Sequence, residues 1–193
     1  MSKHNQKSME IIRIIEGCKK QEAKYQKILY ERFYGYVLKI SFRYIYRYDI
    51  AVNVTNDAFV KIFRYIERFR HEEEDFPERL LMAWMKKIII NTSIDELRKN
   101  NLTPEISGIP EYVWEEVDNS QKADQLLLYK ELISYVKKLP LMYRMVFNMY
   151  VFDLCTHFEI ANILGISVGT SKSNLSRARG VLQKIIKEKE GSN

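Results

Sequence analysis

Cysteine and histidine are scarce in this sequence, and their scarcity excludes most metal and disulfide chemistry. Of 193 residues, two are cysteines and three are histidines. Cys18 and Cys155 are far apart and form no Cys-x-x-Cys or Cys/His cluster, so neither a disulfide framework nor a zinc site is indicated. The histidines lie at no recognisable spacing from a nucleophile, and no glycine-rich phosphate-binding loop is present. We expect a protein that is not an enzyme and needs no metal or cofactor.

Long apolar runs are absent as well. No stretch approaches the roughly 20 apolar residues that span a bilayer. Residues 2–10 are polar, and Ile11 to Ile15 is too short for the core of a signal peptide. We therefore expect a cytoplasmic protein without membrane insertion.

Glycine and proline are few, with seven and four residues. Apolar residues recur every three or four positions nearly throughout, and strict alternation is scarce, which predicts an all-α fold. Helices are predicted at about residues 9–17, 22–46, 50–69 and 77–99 in the first half, and at about residues 123–138 and 140–152 in the second.

The helical pattern breaks between the two halves. Pro104, Gly108 and Pro110 interrupt it, and acidic residues dominate the segment. We therefore predict two helical domains, residues 9–101 and 123–190, joined by a flexible acidic linker at residues 102–122. The net charge of +6 favours a polyanionic partner, and nucleic acid fits that charge better than a membrane surface.

The clearest motif lies in the second half. Thr156 and Glu159 have the spacing of a capping box, which predicts a helix that starts near Phe158. Gly165 is placed to end that helix, and Ser167 to cap the next one. Two helices joined by a tight glycine turn are typical of a helix-turn-helix, whose second helix enters the DNA major groove.

The second helix of this motif has two chemically different faces. At about 100° per residue one face is mostly apolar and should pack on the domain. Its members are Val168, Ser171, Leu175, Ala178, Leu182 and Ile185. The other face and its flanks carry Thr170, Lys172, Ser173, Asn174, Ser176, Arg177, Arg179 and Lys184, with no acid from residue 168 to 187. A solvated basic helix is the simpler alternative, but the capping box and the glycine turn favour DNA binding.

A second stripe of interest lies on the fourth predicted helix. It runs through Trp84, Ile88, Asn91, Asp95 and Arg98 and changes from apolar to polar along its length. The polar end could be offered to a ligand, or it could be a buried network in which Asp95 pairs with Arg98 one turn on. The spacing leaves both interpretations open.

These motifs together resemble one family. The pattern Trp84-x-x-x-Ile88-x-x-Asn91-x-x-x-Asp95-x-x-Arg98, the later Leu139-Pro140-x-x-x-Arg144, and the run from Glu159 to Arg179 are similar to bacterial sigma-70 family factors of the extracytoplasmic-function (ECF) group. The resemblance covers nearly the whole chain, from about residue 14 to 186.

The resemblance implies a promoter-specificity subunit of RNA polymerase. Its first domain would grip the β′ clamp helices and read the melted minus-ten element, and its second would contact the β flap and read the duplex minus-thirty-five element. An anti-sigma factor would be a further partner. The minus-ten residues implied are Asn91, Arg98 and Lys99. The minus-thirty-five residues implied are Thr170, Lys172, Ser173, Asn174, Ser176 and Arg177. The polymerase contacts implied are Asn53, Asn56 and Asp57.

The sequence departs from the family pattern at three places. Val52 and Asn53 stand where the family has acids, and Asn56 stands where it has glutamine. Ser171 stands where the family usually has valine, and acids in residues 71–75 lie in a loop expected near the opened strand. Other functions remain open: a stand-alone helix-turn-helix regulator, a protein-binding helical adaptor, or a site-specific recombinase. No serine or tyrosine sits in a recognisable recombinase setting.

Overall fold

The computed structural model describes residues 3–70, 76–100 and 123–191, and every regular element in those ranges is helical. The prediction of an all-α fold is confirmed. The predicted linker at residues 102–122 and the acidic loop at residues 71–75 lie outside the described residues. None of the described helices is both long enough and apolar enough to cross a bilayer.

The chain divides into two compact units, residues 1–117 and 118–193. In the first unit, α1 packs on α2, and α2, α3 and α4 pack on one another. These helices are α1 (Lys3–Lys19), α2 (Ala23–Ile45), α3 (Tyr48–Tyr65) and α4 (Pro77–Asn100), with a 3₁₀ turn at Ile66–Arg68 after α3.

Two predicted boundaries in this unit are wrong. The first helix begins at Lys3, well before the predicted Met9. The sequence missed this start because the polar residues before Met9 show no apolar periodicity. The third helix ends as an α-helix at Tyr65 and continues only as the tighter 3₁₀ turn. Such turns are frequent at helix ends, where hydrogen bonds tighten.

The centre of the first unit is the last part of α2. Every residue from Ile40 to Tyr46 is buried, because α1, α3 and α4 all pack around this helix. Tyr46 ends the helix in the left-handed conformation, with φ of 58°, and its N–H donates to the carbonyl of Phe42. The aliphatic and aromatic side chains of α2 thus form one continuous core with those of α3 and α4.

The second unit contains the predicted pair of helices, preceded by two further helices and a π-helical turn. Its elements are α5 (Ala123–Val136), α6 (Leu141–Phe147), a π-helical turn (Asn148–Phe152), α7 (His157–Leu164) and α8 (Val168–Glu190). The prediction of a single helix from residue 140 to 152 is therefore only partly right, because the last five residues form the wider π turn. The helix α8 packs on α5, α6 and α7.

Three polar contacts stabilise two junctions in this unit. The buried guanidinium of Arg144 donates from Nη1 to the carbonyl oxygen of Lys137 at 3.1 Å, which closes the connection between α5 and α6. Lys189 Nζ lies 2.5 Å from Glu131 Oε1, and the Tyr135 hydroxyl donates to the same oxygen at 2.7 Å. These contacts join the end of α8 to α5.

Gly17 on α1 lies directly against the ring of Tyr25 on α2. A Cβ atom on this residue would lie 2.0 Å from Cδ2 and 2.3 Å from Cγ of Tyr25. The ring of Tyr25 is itself held, because Arg13 Nε donates to its hydroxyl at 3.0 Å. No side chain larger than hydrogen fits at Gly17 without displacing that ring.

We predict that Gly17→Ala lowers the free energy of unfolding of the first unit by about 1–3 kcal/mol, the usual cost of overpacking. Gly180→Ala is the matched control, because nothing lies within 4 Å of the Cβ position of this glycine in α8. It should stabilise the second unit by about 0.5–1 kcal/mol through helix propensity. Residue-resolved hydrogen exchange separates the two units, and equal effects of the two variants would contradict the assignment.

Candidate nucleic-acid interface

The first helix of the pair, α7, begins with the predicted capping box. Thr156 Oγ1 accepts from the N–H of Glu159 at 3.2 Å, and Glu159 Oε2 accepts from the N–H of Thr156 at 2.9 Å. Two backbone donors that would otherwise lack partners at the helix start are therefore satisfied. This part of the helix-turn-helix prediction is confirmed.

The turn between α7 and α8 also has the predicted chemistry. Gly165 ends α7 in the left-handed region, with φ of 68°, and its N–H donates to the carbonyl of Ala161. A side chain is disfavoured there by conformation rather than by crowding, because nothing lies within 4 Å of its Cβ position. Ser167 Oγ then accepts from the N–H of Thr170 at 2.9 Å and caps α8.

A narrow buried stripe attaches α8 to the rest of the second unit. Leu175, Ala178 and Leu182 are buried, as predicted, and so is Ser171. Val168 is 38% exposed, so the prediction that it packs inward is wrong. It is the first residue of the helix.

The opposite face of α8 is exposed. The predicted DNA-binding residues that are exposed on it are Thr170, Lys172, Ser173, Ser176 and Arg177. Asn174 is only 7% exposed, so the prediction that it lies on this surface is wrong. Its position three residues after Ser171 and four before Ala178 places it on the buried side.

A polar cluster that the sequence did not reveal lies behind this face. His157, the first residue of α7, has Nδ1 2.9 Å from Oγ of Ser171 on α8. Its ring stacks on Tyr150 with a centroid distance of 4.6 Å and an interplanar angle of 24°. The guanidinium of Arg179 lies over the other ring, 5.9 Å from the Tyr150 centroid. Burial, together with the positive charges of Lys172 and Arg179, lowers the pKa of His157 below its ordinary value.

In the first unit, α4 presents the predicted polar residues to solvent. Asn91, Arg98 and Lys99 are exposed, and so is Asp95, whose Oδ2 lies 3.7 Å from Lys61 Nζ on α3. The alternative of a buried network around Asn91 and Asp95 is therefore wrong. The sequence spacing could not show which side of α4 the other helices cover.

Among the α4 side chains that the structure describes, the buried polar groups are two hydroxyls. Thr92 Oγ1 donates to the carbonyl of Ile88 at 2.8 Å, and Ser93 Oγ donates to that of Ile89 at 2.9 Å. Both bonds stay within the helix and satisfy groups that would be costly to bury alone. The exposed polar row is thus not needed to complete the core.

The residues predicted to contact polymerase lie together on α3. Asn53, Asn56 and Asp57 are exposed, whereas Val52 is half-buried. The Tyr30 hydroxyl on α2 donates to Asn56 Oδ1 at 3.1 Å, which fixes the side chain of this asparagine. The surface is polar and carries one carboxylate among these three residues.

No three His, Cys, Asp or Glu side chains lie together as metal ligands would in the part of the chain that the structure describes. Apart from the buried Asn174, the predicted functional residues instead lie on the exposed faces of α3, α4 and α8, which carry polar and charged side chains. They can hydrogen-bond and, on α4 and α8, attract phosphate.

Two models of the sigma-70 family match this chain. The model for sigma-70 region 2 matches residues 29–103, and the model for sigma-70, region 4 matches residues 129–182. Together the two matches span about two thirds of the sequence. They fall on the two compact units separately.

Curated relatives come from the same family. The chain is 26% identical over 176 residues to the ECF RNA polymerase sigma-E factor of Escherichia coli (strain K12), with 86% of this chain and 88% of that protein covered. It is 25% identical over 162 residues to the ECF RNA polymerase sigma factor SigW of Bacillus subtilis (strain 168), with 79% and 83% covered.

A solved structure shows a similar fold. The sigma factor RpoE of Bartonella quintana, in a co-crystal with the anti-sigma factor NepR, matches with a TM-score of 0.55 at 18% identity. The match covers 83% of this chain and 96% of that one.

The chain therefore belongs to the sigma-70 family of RNA polymerase sigma factors, in its extracytoplasmic-function group. It is a factor of transcription initiation by RNA polymerase. The resemblance drawn from the sequence motifs is confirmed.

We predict that Thr156→Ala lowers the stability of the second unit by about 1 kcal/mol, because it removes the side-chain acceptor of the capping box. Thr156→Ser keeps the hydroxyl and should lose much less. Denaturant unfolding followed by the amide signals of α7 measures both. Equal destabilisation by serine and alanine would show that the methyl group, and not the cap, stabilises this helix start.

Proposed function

We propose that this protein is a promoter-specificity subunit that binds core RNA polymerase and directs initiation by recognising minus-ten and minus-thirty-five elements. Its domains would be residues 9–101 for the minus-ten element and residues 123–190 for the minus-thirty-five element. The observation that carries the proposal is the exposed basic face of α8 on a capped helix-turn-helix. It would act in the cytoplasm, where bacterial transcription takes place.

The minus-thirty-five element would be read by α8 in the major groove. Arg177 is exposed near the middle of α8, and arginine can pair with guanine through two hydrogen bonds. Lys172, Ser173 and Ser176 share the exposed face and can contact bases or phosphate, while Thr170 at the helix start suits a phosphate. We leave Asn174 out of this interface because it is buried.

The minus-ten element would be read by the exposed row on α4. A base in an opened strand must be captured outside the stack, by hydrogen bonds to its edge and contacts to its face. Asn91 offers an amide for the base edge, and Arg98 and Lys99 offer charge for the strand's phosphates. Their exposure on one helix supports this role.

Core polymerase would contact the polar face of α3 through its β′ clamp helices. Asn53, Asn56 and Asp57 form that face, and the acids that the family has at Val52 and Asn53 are absent. With those two acids absent, binding would depend more on the single carboxylate of Asp57 and on apolar contacts. The β flap would bind the second unit. An anti-sigma factor is a further proposed partner, since the similar sigma factor RpoE was solved with NepR.

Transcription in vitro tests the proposal. Core polymerase with and without the protein is supplied with genomic DNA, and the start sites are sequenced. The proposal predicts new start sites that share two spaced upstream elements and appear only with the protein. Tight sequence-specific binding to duplex DNA without polymerase, and no new start sites, would favour a stand-alone regulator instead.

We predict that Arg177→Ala costs about 1–3 kcal/mol of binding free energy on the preferred upstream element, concentrated at one base pair. Arg177→Lys keeps the charge but loses the two-pronged geometry, so it should restore binding to all sequences alike and not the preference. Holoenzyme binding to a panel of single-base-pair variants measures both. A uniform loss across the panel would show that Arg177 touches only phosphate.

We predict that Asn91→Ala changes the base preference in the minus-ten element by about 1–3 kcal/mol, the usual range for a specific base contact. It should leave core binding and helicity intact, because Asn91 is exposed. Thr92→Val, the neighbouring change of a buried hydroxyl, is the control and should alter stability without altering preference. Abortive initiation on promoters with each minus-ten base reads preference, and circular dichroism reads helicity. Reduced helicity in Asn91→Ala would contradict a surface role.

A further inference from the structure

The cluster of His157, Tyr150 and Ser171 has a geometry that the proposed DNA contacts do not use. Ser171 is fully buried on the otherwise apolar stripe of α8, where a hydroxyl without a partner would be costly. His157 Nδ1 supplies that partner at 2.9 Å. This contact joins the first residue of α7 to the first turn of α8.

A second contact holds α8 further along its length. Arg179 lies over Tyr150, the ring on which His157 stacks. Ser171 and Arg179 are eight residues apart, which is about 12 Å along a helix axis. These two contacts lead to the same pair of rings, and together with the buried stripe they restrain the rotation of α8 about its own axis.

The reading side chains lie between these two attachments. Lys172 follows Ser171 directly, and Arg177 precedes Arg179 by two residues. A binding constellation must be held within about 0.5 Å and 10–20° to remain productive. A small rotation of α8 would therefore misplace Arg177 without unfolding the unit.

The charges around His157 connect its ring to the DNA surface. The elements that pack most extensively against α7 are α8 and the π turn. Burial is the main cause that lowers the pKa of His157, and the positive charges of Lys172 and Arg179 on α8 lower it further. Tyr150 is the titratable group on the π turn that stacks on the ring. The acids on adjoining segments are Asp153, which is buried after that turn, and Glu159 on α7.

Binding of DNA changes this balance in one direction. A phosphate that pairs with Lys172, one of the proposed DNA contacts, weakens one of the causes that hold the pKa of His157 down. The ring then binds a proton more readily in the complex than in the free protein. Because linkage is reciprocal, protonation must also favour DNA binding.

We propose that His157 is a positioning residue for α8, acting through Ser171 and Tyr150, and that its ring takes up a proton when α8 engages DNA. This inference rests on the proposed function of α8 as a reader of duplex DNA. In this role His157 does not contact a DNA base itself.

The first test is the pH profile of promoter binding. Holoenzyme containing the full chain is bound to a promoter fragment found by start-site sequencing, and to an unrelated duplex of equal length, between pH 6 and pH 8. His157→Asn keeps a hydrogen-bonding group near the Nδ1 position but cannot titrate. The affinity ratio of wild type to His157→Asn should rise severalfold as the pH falls. A constant ratio overturns the proton uptake.

A spectroscopic titration observes the ring of His157 directly, at protein and duplex concentrations high enough for weak binding of α8 to the upstream element without polymerase. The ring signals of His157 are identified among the three histidines by their loss in His157→Asn. Adding a duplex that carries the upstream element should raise the pKa of this ring. An unchanged pKa in the presence of bound duplex overturns the inference.

Ser171→Ala tests the positioning role. It removes the hydroxyl and should lower the ratio of promoter binding to unrelated-duplex binding about threefold to tenfold, while the amide spectrum stays that of a folded unit. An unchanged ratio overturns the positioning role. Failure of wild-type holoenzyme to bind any promoter would instead overturn the proposed function, and the inference with it, so the two failures are distinguishable.

Discussion

The second unit depends on the narrow stripe by which α8 packs on its neighbours. Leu175, Ala178 and Leu182 supply the apolar contacts, and Ser171 supplies a polar one. Because the stripe is narrow, most of the circumference of α8 stays in solvent and can carry basic residues. The capping box of Thr156 fixes where α7 begins, and the left-handed Gly165 ends α7 so that the chain can turn into α8.

The first unit also leaves one side of its outer helices exposed, but its core is arranged differently. Its core is built around the last part of α2, where consecutive residues on all sides of the helix are buried. The outer helices α3 and α4 need bury only one side each. That leaves Asn53 and Asp57 on α3, and Asn91 and Arg98 on α4, on exposed surface. The buried hydroxyls of α4 bond within their own helix and leave this surface unchanged.

Local signals in the sequence predicted the fold and the helix-turn-helix well. The capping box, Gly165 and Ser167 act within a few residues of one another, so their effects could be read without knowing the neighbours. The sequence could not predict the exposure of Asn91 or the burial of Asn174, because each depends on which side of its helix another element covers. The contact of His157 with Ser171 was also invisible, since fourteen residues and a turn separate them.

The most direct measurement places α8 on promoter DNA within the polymerase complex. Ser173 is exposed on the reading face, so Ser173→Cys can carry an iron chelate that cleaves nearby DNA. Cys155→Ser removes the half-exposed thiol, and Cys18 stays unreactive because burial raises the pKa of its thiol to about 11. The account predicts strand cleavage centred on the minus-thirty-five element. Cleavage spread evenly along the fragment, or none in a complex that initiates transcription, would contradict it.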